Sequence, residues 1–270
     1  MFRKLLKILF TVALLIAFFY INNNWLTVSN HTVESSKIPA TFDGYRILQI
    51  SDLHDATFGV NQQNLVGKVR DAKPDMIVIT GDLIDSNRYN LENSMNVVDQ
   101  IVEFADVYYV TGNHEVATND VGRIKEELTA SGVHVLSNET VRIVRDGESI
   151  SLSGIEDPLM GKEAAEMIPT SKVSSDLFSV LLAHRPEDFQ AYVDAGMDIT
   201  FSGHAHGGQF RIPLVGGLVA PGQGYFPEYT AGIHEQGESK LVVSRGLGNS
   251  IIPVRLFNLP EIVVVTLKSS

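Results

Sequence analysis

Apolar residues in this chain come in short blocks set apart by Gly, Pro, Asp and Asn, and the block lengths alternate in a regular way. Tyr45–Ser51, Met76–Thr80 and Val107–Thr111 are runs of the length and composition of buried strands. Between them, Val60–Ala72 reads as a helix closed by Lys73-Pro74. Leu91–Ala105 carries apolar residues at helical spacing (Leu91, Met95, Val98, Ile101, Val102), and Asn119 or Asp120 caps a further helix reaching about Ala130. Strand and helix alternate three times, which predicts parallel strands joined by helices. The second half has a different texture. Val133–Leu136, Val141–Arg145 and Ser149–Ser153 are short strands, the last two joined by an Asp146-Gly147 turn. Phe178–Ala183, Ile199–Ser202, Leu241–Ser244 and Ile262–Leu267 follow as strands, with helices over Gly161–Met167 and Pro186–Ala195, and this half is expected to be more antiparallel. Ile212–Ala220 is an apolar, glycine-bearing run, read as a core strand and turn in preference to a lip facing lipid. The predicted architecture is α/β (α+β): a four-layer αββα sandwich of two mixed sheets flanked by helices.

The N-terminus breaks this pattern. Arg3, Lys4 and Lys7 precede a continuous apolar run from Ile8 to Tyr20 and Ile21. Counted from Leu5 to Trp25-Leu26 the segment can just span a bilayer, which takes about 17–25 residues. Positive charge ahead of the run orients the N-terminus to the cytoplasm and the rest across. A cleaved signal peptide has the same shape, but no small-x-small site follows, so an uncleaved anchor is favoured over secretion after cleavage. The expected division is residues 1–26 as anchor, a polar and irregular tether over 27–44, and one catalytic domain over 45–270, outside the cytoplasm at the cell membrane.

Composition narrows the chemistry. The formal charge is −11, which argues against a nucleic-acid partner. Cysteine is absent, so disulfides and thiolate metal sites are excluded, and any metal must use His, Asp, Glu or Asn. Four clusters supply such ligands: Asp52-Leu53-His54, Gly81-Asp82, Gly112-Asn113-His114-Glu115 and Gly203-His204-Ala205-His206, with His184 alone at the end of its strand. Each follows a predicted strand, and ligands at the carboxyl ends of neighbouring strands converge on one crevice. On extended backbone Asp52 and His54, at i and i+2, point the same way. Asp82 has two oxygens and can bridge two ions. Asn113 adds a neutral oxygen, and His204 and His206 serve one ion each. Taken singly, Asp-x-His is weak, Gly-Asp is an ordinary turn and Gly-Asn-His can be a helix cap. Their joint order and placement is what points to two divalent metals. His31, His134 and His234 have no partners in a motif and are read as surface or packing residues, and the sequons at Asn30 and Asn138 as ordinary loops.

These clusters, in this order, match the full signature of the calcineurin-like metallophosphoesterases, and the resemblance covers about residues 45–267. The stretches Leu182–Pro186, Ser202–Arg211 and Arg245–Ser250 are similar to the membrane-anchored bacterial branch, which includes phosphodiesterases acting on UDP-2,3-diacylglucosamine. The resemblance implies that Asp52, His54, Asp82 and His206 hold one ion and that Asp82, Asn113, His184 and His204 hold the other. It implies that His114 is the acid or charge stabiliser and not a ligand. Mixed oxygen and imidazole ligands suit manganese, iron or zinc. The expected reaction is hydrolysis of a cell-envelope phosphoester, lipid-linked or nucleotide-linked, by a metal-bridging hydroxide in a monomeric enzyme. Arg185, beside His184, and Arg211, ending the His-x-His loop, are candidate substrate contacts, with a surface ion pair as the competing reading of Arg185. Glu115 either orients His114 or faces solvent. The competing functions are a non-catalytic metal-binding scaffold and a mononuclear zinc amidohydrolase, which also uses His-x-His.

Overall fold

The computed structural model describes residues 2–169, 176–250 and 252–270. Its centre is a pair of six-stranded mixed sheets. The first is built from β1 (Thr27–Ser35), β2 (Arg46–Ile50), β3 (Met76–Thr80), β4 (Asp106–Val110), β5 (His134–Val135) and β16 (Glu261–Ser269), in the order β1-β16-β2-β3-β4-β5. The second is built from β6 (Glu139–Arg145), β7 (Glu148–Gly154), β8 (Ser179–Leu182), β9 (Ile199–Ser202), β14 (Gly232–Gln236) and β15 (Ser239–Val243), in the order β14-β15-β9-β8-β7-β6. Two small hairpins, β10 (Arg211–Ile212) with β11 (Gly216–Gly217) and β12 (Val219–Ala220) with β13 (Gly224–Tyr225), lie between β9 and β14.

Alternation along the strands sets the layers. In the first sheet Leu48, Ile50, Ile77, Ile79 and Tyr109 face α2 (Gln63–Ala72), α3 (Leu91–Ile101) and α5 (Val121–Ala130), which present Val69, Val98, Ile101 and Leu128. The opposite face, with Ile47, Met76, Val78 and Val110, packs on Leu152, Val180, Ile199 and Val242 of the second sheet. The outer face of that sheet, with Leu181, Ala183 and Leu241, is covered by α6 (Ala164–Met167) and α7 (Phe189–Asp194) through Met167, Phe189 and Tyr192. The chain is therefore layered helix, sheet, sheet, helix, as the pattern predicts.

Two expectations are corrected. Residues 27–44 are not irregular: Thr27–Ser35 is a nine-residue strand, paired in parallel with β16 from Thr27↔Glu261 to Ser35↔Ser269. Its polar side chains suit an edge strand, which exposes one side to water and so lacks the apolar signature of a central one. Nor is the second sheet mainly antiparallel. β7, β8, β9 and β15 run parallel, and only the outer pairs β6–β7 and β14–β15 are antiparallel. The central strands β8 and β9 are buried on both faces, and short helices separate β7, β8 and β9 along the chain, which is the parallel signature. A short helix, α4 (Asn113–Ala117), also begins directly after Gly112.

The N-terminal helix α1 (Phe2–Asn24) has 23 residues, an 18-residue window of it has a mean hydropathy of 2.2, and it is exposed almost throughout. It is long and apolar enough to cross a bilayer, a property shared by anchors and signal sequences. Its end is fitted to the domain. Asn22 is buried, and Asn23 Oδ1 accepts from Arg255 N at 2.9 Å and from Asn249 Nδ2 at 3.1 Å.

Candidate metal centre

The loops after β2, β3, β4, β8 and β9 meet between the two sheets. Gln49, fully buried, ties them: its Nε2 donates to Thr80 Oγ1 and to Ser202 O across the sheets. All seven predicted ligands and His114 are brought together here. The extended backbone expected at Asp52-Leu53-His54 is not what aligns them. Asp52, His54, Asp82, His204 and His206 have φ of 50°, 48°, 50°, 62° and 46°, all left-handed. Each such residue costs about 1–2 kcal/mol, and five of them at one point indicate a site that demands its geometry. Crowding is as tight as the strain. A Cβ at Gly112 would collide with Asp82 Oδ1, and one at Gly203 with Asp52 Oδ2.

Two nests of acceptors result. In the first, His54 Nε2 lies 3.1 Å from His206 Nε2 and 3.6 Å from Asp82 Oδ2, and His206 Nε2 lies 3.6 Å from Asp52 Oδ1. In the second, His184 Nε2 lies 3.3 Å from the same Asp82 Oδ2, 3.1 Å from Asn113 Oδ1 and 3.1 Å from His204 Nδ1. Asp82 Oδ2 is shared between the nests, while its Oδ1 accepts from His114 N at 2.8 Å. Asp52 Oδ1 accepts from His204 N at 3.0 Å, but buried Asp52 Oδ2 has no hydrogen-bond partner among the described residues. A buried carboxylate oxygen without a donor, facing imidazole nitrogens, is a place for a cation. The groups Asp52, His54, Asp82, His206 and Asp82, His184, His204 could each hold a metal ion.

Electrostatics agree with that donor set. Burial lowers the imidazoles of His54, His204 and His206 below their ordinary value, which keeps their lone pairs free. Burial also pulls His184 down, but the Asp82 carboxylate outweighs it and lifts this ring to about 10. Against its own burial, Asp82 is held well below the carboxylate range by His184 and then His54. The surplus negative field that holds a proton on His184 is the field a divalent cation would take over.

His114 stands at the edge of the first nest, its ring edge-on to His54 with centroids 4.4 Å apart. Ser86 N donates to His114 Nδ1 at 3.0 Å, so the neutral ring carries its proton on Nε2, 3.0 Å from Ser250 Oγ. Glu115 neither orients His114 nor faces solvent. It is buried, and its two oxygens accept from Gly112 N, Asp82 N, Leu83 N and Ile84 N at 2.7–3.3 Å, clamping the two ligand loops together.

The arginines differ from expectation. Arg185 donates through Nε and Nη2 to both oxygens of buried Asp157, so it is an inward-facing ion pair and not a surface one. Arg211 donates to Gly207 O at 2.8 Å and Thr230 Oγ1 at 3.3 Å, which props the His-x-His loop from behind. It lines neither cavity at the nests. Its position in sequence, five residues past His206, gave no warning of this turn. A cation that sequence reasoning missed is Arg88, which shares a polar cavity of about 380 Å³ with His54, Asn23, Asn24 and Asn249. A second cavity, of about 360 Å³, is lined by His206 and by Val219, Ala220, Pro221 and Ile252. His31, His134 and His234 lie outside both nests, the latter two packed on Tyr108 and Tyr229.

The family model of the calcineurin-like phosphoesterases matches residues 45–208. This chain belongs to that family. Among the metallophosphoesterases it resembles, it is 32% identical to YkuE of Bacillus subtilis over 258 residues, covering 93% of this chain and 88% of the relative. It is 30% identical to the phosphodiesterase YaeI of Escherichia coli, over 92% of this chain and 90% of the relative. A transmembrane protein with a metallophosphoesterase domain from Danio rerio is 29% identical over 87% of this chain and 55% of its own length. The solved structure of TT1561 from Thermus thermophilus shares the fold, with a TM-score of 0.53 at 12% identity over 75% of this chain and 90% of that one. Membership makes this metallophosphoesterase a hydrolase of phosphoester bonds, which sets aside the amidohydrolase and scaffold readings.

Proposed function

We propose that the chain is a dinuclear phosphodiesterase, held at a membrane by α1 and acting on a phosphoester of the cell envelope. The observation that carries it is Asp82 Oδ2, placed between His54 Nε2 and His184 Nε2 with a second imidazole opposite each. In this reading Asp52, His54, Asp82 and His206 hold one ion, and Asp82, Asn113, His184 and His204 hold the other. Two divalent ions (manganese, iron or zinc), when bound, supply the Lewis acidity that activates water and offsets charge on phosphate oxygens.

The chain's own residues do the rest. His114, whose Nδ1 accepts from Ser86 N, presents Nε2–H as a hydrogen-bond donor that offsets the charge developing on the leaving oxygen. Arg88, bonded through Nε and Nη2 to buried Asp85, supplies N–H donors on the polar side. A polar cavity touching His54 and an apolar one touching His206 flank the centre, which suits a diester with one polar and one apolar substituent. Retention of α1 is supported by Asn23, because cleavage beyond it would strip Arg255 N and Asn249 Nδ2 of their acceptor. The basic residues ahead of the apolar run support a domain outside the cytoplasm.

Metal analysis of the purified chain, with turnover of bis(p-nitrophenyl) phosphate, tests the reading. Two metals per chain and hydrolysis abolished in Asp82→Asn are expected. A single metal with full turnover would refute the shared carboxylate.

A further inference from the structure

The β10–β11 hairpin has a composition that water does not favour. Its tip, Ile212-Pro213-Leu214-Val215, exposes Ile212 at 42%, Leu214 at 108% and Val215 at 64% of full residue accessibility. The core strand and turn expected for Ile212–Ala220 is therefore overturned at its first half. Leu214 also has φ of 69°, a left-handed position where Gly or Asn is the ordinary choice in a water-facing turn. An exposed leucine in that conformation is wasted on water and useful only against an apolar medium.

The neighbour of the hairpin identifies that medium. Phe257, 53% exposed, lines one cleft with Arg211, Ile212, Leu214 and Val215. On its other side its ring meets Phe18 of α1 edge-on, with centroids 5.3 Å apart. Phe18 lies three residues before Ile21, the last apolar residue of α1, or about 5 Å inside the apolar segment at a helical rise of ~1.5 Å per residue. Anything level with Phe18 is thus below the polar boundary of a bilayer that α1 crosses. Trp25, exposed at 63% just past the helix, sits at the boundary itself, where tryptophan is favoured. No flexible leash intervenes, because Asn23 is bonded to Arg255 and Asn249, and Thr27 begins β1.

We infer that the tip of the β10–β11 hairpin, with Phe257, inserts into the outer layer of the same bilayer as α1 and holds the two cavities at a fixed height above the lipid. This rests on α1 being a retained anchor. The occupant is a lipid bilayer, and the contact is apolar.

The chain contains one tryptophan and no cysteine, so the native Trp25 and one introduced thiol report independently. Full-length protein carrying Leu214→Cys with an environment-sensitive fluorophore is placed in nanodiscs of phosphatidylethanolamine and phosphatidylglycerol. A fraction of the lipid carries a nitroxide quencher high on its acyl chain. Loss of most of the emission at position 214 is expected, with Trp25 quenched as well and a probe at Val144→Cys, on β6, unaffected. Val215→Cys repeats the measurement should the first label disturb the turn. Trp25 quenched while positions 214 and 215 keep their emission would overturn the insertion and leave the anchor standing. No quenching at Trp25 or at the hairpin would overturn the anchor and the insertion together.

Discussion

His114 shows how much of the chemistry is decided by single side chains. Its position one residue after Asn113 was legible in sequence, but its tautomer was not, because Ser86 and Ser250 reach it from loops remote in sequence. His114→Ala should retain metal while turnover falls by about 10²–10³-fold, the usual worth of one placed hydrogen-bond donor to developing charge. Metal content and kcat measured on one preparation check both halves of that statement, and an empty site would contradict the assignment. Glu115 is the opposite case. Its charge suggested a catalytic or solvent role, whereas the carboxylate receives four backbone N–H groups. Burial, then Asp82, push this carboxyl up to about 7, and the four donors work to keep it charged. Glu115→Gln points an amide NH2 at some of those donors and should lower stability by about 1–3 kcal/mol. Urea unfolding of the metal-free protein measures it, and an unchanged midpoint would show that the clamp carries no weight.

At the scale of elements, central strands were readable and edges were not. β3 and β9 fall on the predicted residues because strands buried on both faces are unbroken apolar runs. β1 was missed because one side of it meets water, and the parallel order of β7, β8 and β9 was missed because strand length says nothing about direction. The helix α4 was hidden for another reason: the residues that start it also serve the site. Gly112 ends β4's loop, begins α4 and lies against Asp82, all with one backbone. Gly112→Ala should therefore damage both elements. A stability loss of about 1–3 kcal/mol from overpacking is expected, together with weaker metal binding. Thermal unfolding with and without added manganese separates the two, since a variant that loses only stability would still gain normally from the metal.

The molecule as a whole ties metal uptake to proton release. His184 is raised above the ordinary histidine value, to about 10, so in the metal-free chain its ring is charged at neutral pH. That ion pair with Asp82 stabilises the metal-free fold fully below the unfolded pKa and is lost as pH rises through about 10. His54, His204 and His206 are lowered and already neutral. Metal binding near neutral pH should thus release close to a single proton from the ligand histidines, and affinity should weaken as pH falls. Calorimetric titration in buffers of different ionisation enthalpy counts the protons, and binding with none released would contradict the charge on His184. Further out, Asn23→Ala removes the acceptor that joins α1 to Asn249 and Arg255 and should cost about 1–2 kcal/mol in the detergent-solubilised protein, read as a lowered Tm.

The pairing of β1 with β16 has a consequence for how this protein is made. Thr27 meets Glu261, so this strand leaves the ribosome well over two hundred residues before its partner exists. Closure over so long a separation is slow, and a naked strand edge is a sticky one while it waits. Seven of the nine side chains in that strand (Thr, Ser, Asn, His, Thr, Glu and Ser) are polar, which is what a segment needs to survive the delay without pairing with the wrong neighbour.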